Sequence, residues 1–299
     1  MALMTEPLER KEKETNRSGI WRPLSWLSGG LSWRARGLLQ KAHNAKDALE
    51  IGVRQAIGFN TSEAKLIGES QTYWNDPSDG TLHQNSHWRG VGIFADDARW
   101  LALGYEHLRI YQEFARAVGL NGSPRHIVEW GCGGGMNAVH FGCLTEQFYG
   151  IDISPSTLKE CEKQMRAAGL NNFIPVLIDA ADPEAAAGQV RGPCELLIST
   201  YVFELLPTPE YGIRVLRVAH ELLAPGGVAM IQIKYSEGDA KTRSRGWAYA
   251  RNLAWNATYR IEGFWQTARS CGFTPRMITL LPEQPLVNDR NYAYFLLQK

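Results

Sequence analysis

From residue 126 onward, short apolar runs alternate with amphipathic helical runs, and the first junction between them carries four glycines within five residues, in HIVEWGCGGGMNAVHFG (His126 to Gly142). No other feature restricts the fold as much. Alternation of strand and helix gives a largely parallel sheet with helices on both faces. A glycine-rich junction lets the backbone come close to a ligand where the next helix presents unpaired N–H groups and its positive dipole end. The pattern predicts strands over residues 126–129, 148–151, 173–178, 196–200, 228–234, 277–281 and 292–297, and helices over 137–144, 156–168, 209–223 and 261–271. Only a short Pro/Asn/Asp segment separates the last two strands, so the sheet is expected to end antiparallel.

Upstream, DDARWLALGYEHLRIYQEFARAVGLNG places Trp100, Leu101, Leu108, Tyr111 and Phe114 at helical spacing, with Asp96 or Asp97 as the cap and Gly119 as the stop. Before it, SQTYWNDPSDGTLHQNSHWRGVGIF concentrates aromatic residues and histidines and reads as a lid. Residues 1–18 are charged and aperiodic, which predicts disorder. Residues 19–41 mix Trp21, Trp26 and Trp33 with Arg22, Arg34 and Arg36, a composition suited to a membrane surface, to docking on the main domain or to a sister subunit. The chain thus divides into an N-terminal extension over 1–50, partly disordered, a helical lid region over 51–122, and a ligand-binding domain over 123–299 with a capping insertion at 235–260.

Composition narrows the function. The 299 residues carry 32 basic and 31 acidic side chains, a formal charge of +1, so no global field draws nucleic acid, and none is expected as a partner. The five cysteines, Cys132, Cys143, Cys161, Cys194 and Cys271, are scattered and never spaced Cys-x-x-Cys. Neither a disulfide framework nor a metal site is expected, and a cytoplasmic location is the simplest reading. No apolar run reaches the ~20 residues of a membrane span, so stable membrane insertion is not expected. A homo-oligomer is a candidate assembly.

The glycines alone leave the ligand open. Read from Gly131, the loop is Gly-x-Gly-x-Gly (Gly131, Gly133, Gly135), the usual spacing for S-adenosylmethionine; read from Gly133, it satisfies the dinucleotide fingerprint through Gly135 and Ala138. Three features favour the sulfonium cofactor. A long region precedes the motif, and the residues after it fit one sheet rather than two nucleotide-binding halves. Glu129 sits in the strand before the glycines, where a carboxylate can meet an ammonium. Asp152 in YGIDIS can accept ribose hydroxyls with either cofactor, but Asp179 in LIDAAD, placed to accept an adenine amino group, has no counterpart in the dinucleotide fingerprint.

Residues 125–299 resemble a class I S-adenosylmethionine-dependent methyltransferase of small-molecule type. EWGCGGG is similar to the first motif of that family, GIDIS to its ribose acid, IDAAD to its adenine contact, ISTYVFELLPTP to the segment closing the transfer site, and LLAPGGVAMIQIK to its Pro-Gly-Gly turn and fifth strand. The resemblance implies a Rossmann-like doubly wound α/β fold, a seven-stranded sheet of order 3-2-1-4-5-7-6 with the last strand antiparallel. It implies S-adenosyl-L-methionine as cofactor, held by Glu129, Gly131, Cys132, Gly133, Gly135, Asp152, Ile153, Asp179, Ala180, Ser199 and Thr200, with Trp74 and Trp88 of the lid segment expected to cover it. Phe203-Glu204-Leu205 stands where many relatives carry Glu-His, which removes one familiar histidine from the site.

Methyl transfer from a sulfonium is a direct displacement, so alignment matters more than proton removal. His87, with His83 second, is the candidate general base, and Tyr201 beyond the fourth strand is placed to orient the acceptor. Tyr73, Arg89, Phe203, Lys234, Tyr235, Arg251 and Trp255 are the candidate acceptor-binding residues, because arginine can clamp a carboxylate while aromatic rings wall an apolar body. The expected activity is methylation of O, N or S on a small molecule, with a carboxylate-bearing acceptor favoured by the basic insertion; methylation of RNA or protein, and a non-catalytic cofactor-binding scaffold, are the alternatives.

Overall fold

The computed structural model describes residues 61–76, 80–239 and 241–299, with Leu49, Gly52 and Val53. Apart from Leu49, the expected N-terminal extension, including its Trp/Arg-rich segment, lies outside the described residues. Helix α1 (Glu63–Asn75), the short α2 (Gly80–Asn85) and a 3-10 turn at Gly92–Ala95 lead to the long α3 (Asp97–Val118). Asp96 caps α3 by accepting a hydrogen bond from Ala98 N, and Gly119 ends it in the left-handed conformation at φ 73°.

The chain then alternates: β1 (His126–Trp130), α4 (Ala138–Phe141), β2 (Gln147–Asp152), α5 (Pro155–Ala167), β3 (Phe173–Leu177), α6 (Ala186–Gln189), β4 (Cys194–Ser199), α7 (Pro209–Leu222), β5 (Leu223–Lys234), α8 (Ile261–Ser270), β6 (Thr274–Gln284) and β7 (Asp289–Gln298). One seven-stranded sheet has the order β3-β2-β1-β4-β5-β7-β6. β7 pairs antiparallel with both β5 and β6, whereas the other neighbours are parallel. The fold is the one expected from the motif order. Two details differ. α6 and the 3-10 turn before it are not expected from the pattern, because their Ala/Gly-rich sequence has no apolar period. The two C-terminal strands run longer, since they form a hairpin whose turn needs only the residues between Gln284 and Asp289.

Period-two alternation assigns the side chains to two cores. Along β1, Val128 and Trp130 join one cluster with α7 and α8, while Ile127 joins the other with α3, α4 and α5. Glu129 has the parity of Ile127, so its carboxylate faces the α3/α4 side. Thr208 caps α7 by accepting from Tyr211 N, and Pro209 occupies its first turn. Val215, Leu216, Val218 and Leu222 of α7 are buried, each worth ~1.5–3 kcal/mol of transfer free energy. The sheet is therefore clamped on both faces, and its carboxyl edge is left to carry the site.

Candidate functional site

The carboxyl ends of β1, β2 and β4, with α1 and the 85–87 turn above them, surround a cavity with about 900 Å³ of space, its open mouth included. Glu129, Gly131, Cys132, Gly133, Asp152, Ile153, Ala180 and Thr200 line it together with Trp74, His87 and Tyr201. Residues scattered over much of the sequence are thus brought to one wall.

Glu129 is 2% exposed and accepts a hydrogen bond from Asn137 Nδ2 through Oε1 at 2.7 Å; its Oε2 has no partner. Burial raises its pKa to about 8, against the lowering effect of Asn137, and the nearby Asp152 adds to the rise. Asp152 accepts from Ser154 N at 2.9 Å and Gly133 N at 3.3 Å, and burial outweighs those bonds to raise its pKa to about 6. A buried carboxylate oxygen without a partner costs free energy until a donor or cation meets it.

His87 and Tyr201 face each other, ring centroids 5.0 Å apart, and both have left-handed backbones at φ 55° and 57°. Such strain in two bulky residues is held by their surroundings. Trp100 Nε1 donates to His87 O at 2.7 Å, and Tyr201 N donates to the buried Gln232 side chain. Burial first, and the charge of His107 second, lower the His87 pKa to about 3. The imidazole is neutral at physiological pH, and it is a weak proton acceptor. Burial likewise pushes the Tyr201 phenol far above its ordinary range. A hydrogen bond with Cys161 and burial push up the Cys132 thiol, which is therefore no nucleophile.

The lid rests on the glycine loop. Gly134 N donates to Ser86 O at 2.7 Å. A Cβ at Gly134 would lie 2.8 Å from His87 O and from Trp88 Cα, and one at Gly133 would lie 2.8 Å from Ser86 O. These two glycines thus admit the lid backbone, a use distinct from the close ligand approach expected of the motif. α1 is fastened across the cavity by Asn75 Nδ2 to Ile153 O (3.2 Å), by Ala180 N to Gln71 Oε1 (2.9 Å) and by Trp74 Nε1 to Tyr249 Oη (2.8 Å). Tyr249, in the 235–260 insertion, donates its own N–H to Glu69 Oε2 at 2.9 Å and its hydroxyl to Leu205 O at 2.5 Å. Lid and insertion meet above the cavity.

Other expected site residues lie elsewhere. Asp179 does not line the cavity, because its Oδ1 turns back to accept from Ala181 N at 2.7 Å. Ser199 is buried and donates to Trp130 O at 3.1 Å, and Gly135 packs against Cys161. Trp88 and His83 stack on each other at 4.0 Å outside the lining. Tyr73 packs edge-on against Trp74 and shares hydrogen bonds with Thr81 and Asn85. Arg89 forms a two-pronged ion pair with Asp97, and Phe203 sits in the core against Phe264. Lys234 is fully buried, paired with Asp289 at 2.5 Å and lying 4.3 Å from the centre of the Trp255 ring, so neither residue reaches the cavity. Tyr235 bridges to Tyr259, and Arg251 is exposed. Asn137, Ser86 and Tyr249, by contrast, line the cavity and are not among the residues expected from sequence. Asn137 left one signal, a polar residue two positions after the last glycine, immediately before a short helix begins.

The family described as "Methyltransferase domain" matches residues 103–276. The chain belongs to this family: it is a class I S-adenosylmethionine-dependent methyltransferase, and S-adenosyl-L-methionine is its cofactor. Similar solved structures include the N-methyltransferase NodS from Bradyrhizobium japonicum WM9 in complex with S-adenosyl-L-homocysteine, 14% identical over 65% of this chain and 87% of that one, TM-score 0.47. An rRNA methylase from Streptococcus thermophilus is 16% identical over 60% and 88%, TM-score 0.40. Fibrillarin from Aeropyrum pernix with natively bound S-adenosyl-L-methionine is 21% identical over 59% and 67%, TM-score 0.40. No curated protein matches in sequence. Among the described residues no helix is long and apolar enough to cross a membrane.

The residues present fit the cofactor. The unpartnered Glu129 Oε2 calls for a cationic donor, and an α-ammonium is one.

Proposed function

We propose that the protein methylates a small molecule enclosed between the lid and the carboxyl edge of the sheet. The observation that carries this reading is the double cover: α1 and the insertion are joined through Trp74 and Tyr249 directly above the cavity, which leaves little room for a polymer to enter. Glu129 takes the ammonium of the cofactor, Asp152 accepts its ribose hydroxyls, and Gly131, Cys132, Gly133, Ile153, Ala180 and Thr200 shape the wall against it. Trp74 covers it from the lid. When bound, S-adenosylmethionine supplies an electrophilic methyl group on sulfur.

His87 and Tyr201 wall the acceptor side. With a pKa of about 3, His87 acts by contact and orientation rather than as a strong base, so the acceptor arrives with an available lone pair. The side chains lining the cavity, among the described residues, include no Lys or Arg. Two basic residues of the insertion instead bond within it, Arg243 to Gly238 O and Arg245 to Asn252. This supports an acceptor without a carboxylate at its reacting end.

The test is mass-spectrometric profiling of a cell extract incubated with the enzyme and isotopically methyl-labelled cofactor. The expected result is a labelled metabolite of low mass; label found only in RNA or protein overturns the reading. Asp152→Ala is expected to abolish cofactor binding in calorimetry, and unchanged affinity removes the ribose role.

A further inference from the structure

From the cavity wall at Glu129 and Asn137 a chain of hydrogen-bonded side chains runs back to His107, which lies behind the wall. Asn137, 2% exposed, donates from Nδ2 to Glu129 Oε1 at 2.7 Å and to Thr200 Oγ1 at 2.9 Å. Its Oδ1 lies 2.7 Å from Nδ1 of His107, a fully buried residue of α3.

The chemistry of the groups fixes every orientation. Paired with an ammonium, Glu129 is ionised and its carboxylate only accepts, so the amide turns its NH₂ toward Glu129 and its oxygen toward His107. That oxygen in turn requires a donor, so the His107 proton sits on Nδ1. Burial, against the raising effect of the Asn137 hydrogen bond, lowers the His107 pKa to about 4, and the neutral ring has one N–H to give. With Oε1 of Glu129 tied to Asn137, its partnerless Oε2 is the oxygen left open.

We propose that Asn137 and His107 are positioning residues for the amino-acid end of the cofactor, fixing the Glu129 carboxylate so that one oxygen stays open for an ammonium. The proposal rests on the reading of Glu129 as the partner of that ammonium. α3 is thereby part of the cofactor site without touching the cofactor. A carboxylate left to rotate would lose that orientation, and the amide left without His107 would carry a buried, unpaired oxygen.

Two probes separate positioning from general damage in calorimetry with the full chain. S-Adenosylhomocysteine carries the amino-acid end; 5′-methylthioadenosine keeps the adenosine and thioether but lacks it. Asn137→Ala and His107→Leu are expected to weaken S-adenosylhomocysteine roughly tenfold or more while changing methylthioadenosine less than about twofold, the loss typical of a hydrogen bond to a charged group. His107→Asn, which keeps an N–H near the Nδ1 position, is expected to restore most of the affinity. In a Glu129→Gln background, Asn137→Ala is expected to cost little more. Equal weakening of both ligands, or no weakening of either, overturns the proposal. A wild-type protein that binds the two ligands equally overturns the Glu129 reading beneath it.

Discussion

Glu129 meets two opposing demands. Burial favours its neutral form in the empty protein, whereas an ammonium needs the charge. Its folded pKa of about 8 lies above the ordinary 4.5, so its stabilising contribution is full below the ordinary pKa and is lost as pH rises through about 8. Glu129→Gln mimics the protonated acid and keeps an oxygen for Asn137. It is expected to raise the melting temperature of the cofactor-free protein by several degrees at about pH 9, to change it little at about pH 5, and to remove tight cofactor binding. Equal melting temperatures at the higher pH contradict the assigned shift. That Glu129 and Asp152 line the cavity was legible, because strand parity and the glycine loop place both at strand ends. That Asp179 lies outside the lining, with its Oδ1 accepting from Ala181 N in a local turn, could not be read from its spacing, nor could the place of Asn137 in the lining, since its partner His107 is on another helix.

At the level of elements, the strand and helix alternation was readable almost throughout, since period-two and helical patterns are local properties. The landing place of the lid was not, because it depends on contacts between segments far apart in sequence: Ser86 with Gly134, Glu69 with Tyr249, Gln71 with Ala180. The insertion drew attention through its arginines, yet the residue it contributes to the cavity is Tyr249. Gly134→Ala tests the lid contact. Its φ is not in the left-handed region, so a methyl group there acts by steric contact with the 87–88 backbone. The expected outcome is faster proteolytic cutting of the 80–95 segment and a clear fall in kcat/KM. Unchanged proteolysis and activity would show that the close approach is dispensable.

For the whole molecule, titration of the site sets a pH-dependent stability. His87 and His107, with folded pKa values of about 3 and about 4, are neutral in both folded and unfolded chains once the pH exceeds 6.5. Above that point the acids of raised pKa act without opposition, Glu129 at about 8 and Glu204 at about 7, so the unliganded protein is expected to lose stability between pH 6.5 and about 8. Below 6.5 the imidazoles reverse sign: their contribution, present above their ordinary pKa, is lost as pH falls toward about 4 and then about 3. If Glu129 pairs with the cofactor's ammonium as proposed, saturating S-adenosylhomocysteine is expected to flatten the neutral-to-basic decline, besides raising stability by ~2.7 kcal/mol at a hundredfold excess over Kd. Calorimetric melting across pH, with and without ligand, checks both.

The seat of the lid on Gly133 and Gly134 also bears on inheritance. The glycine loop and the 86–88 turn form one unit of change, because a side chain gained at position 134 has to be matched by a displaced turn. A chimera that grafts a foreign lid onto this loop is expected to seat only when the donor segment brings its backbone to the same place, so the lid and the loop have to be exchanged together.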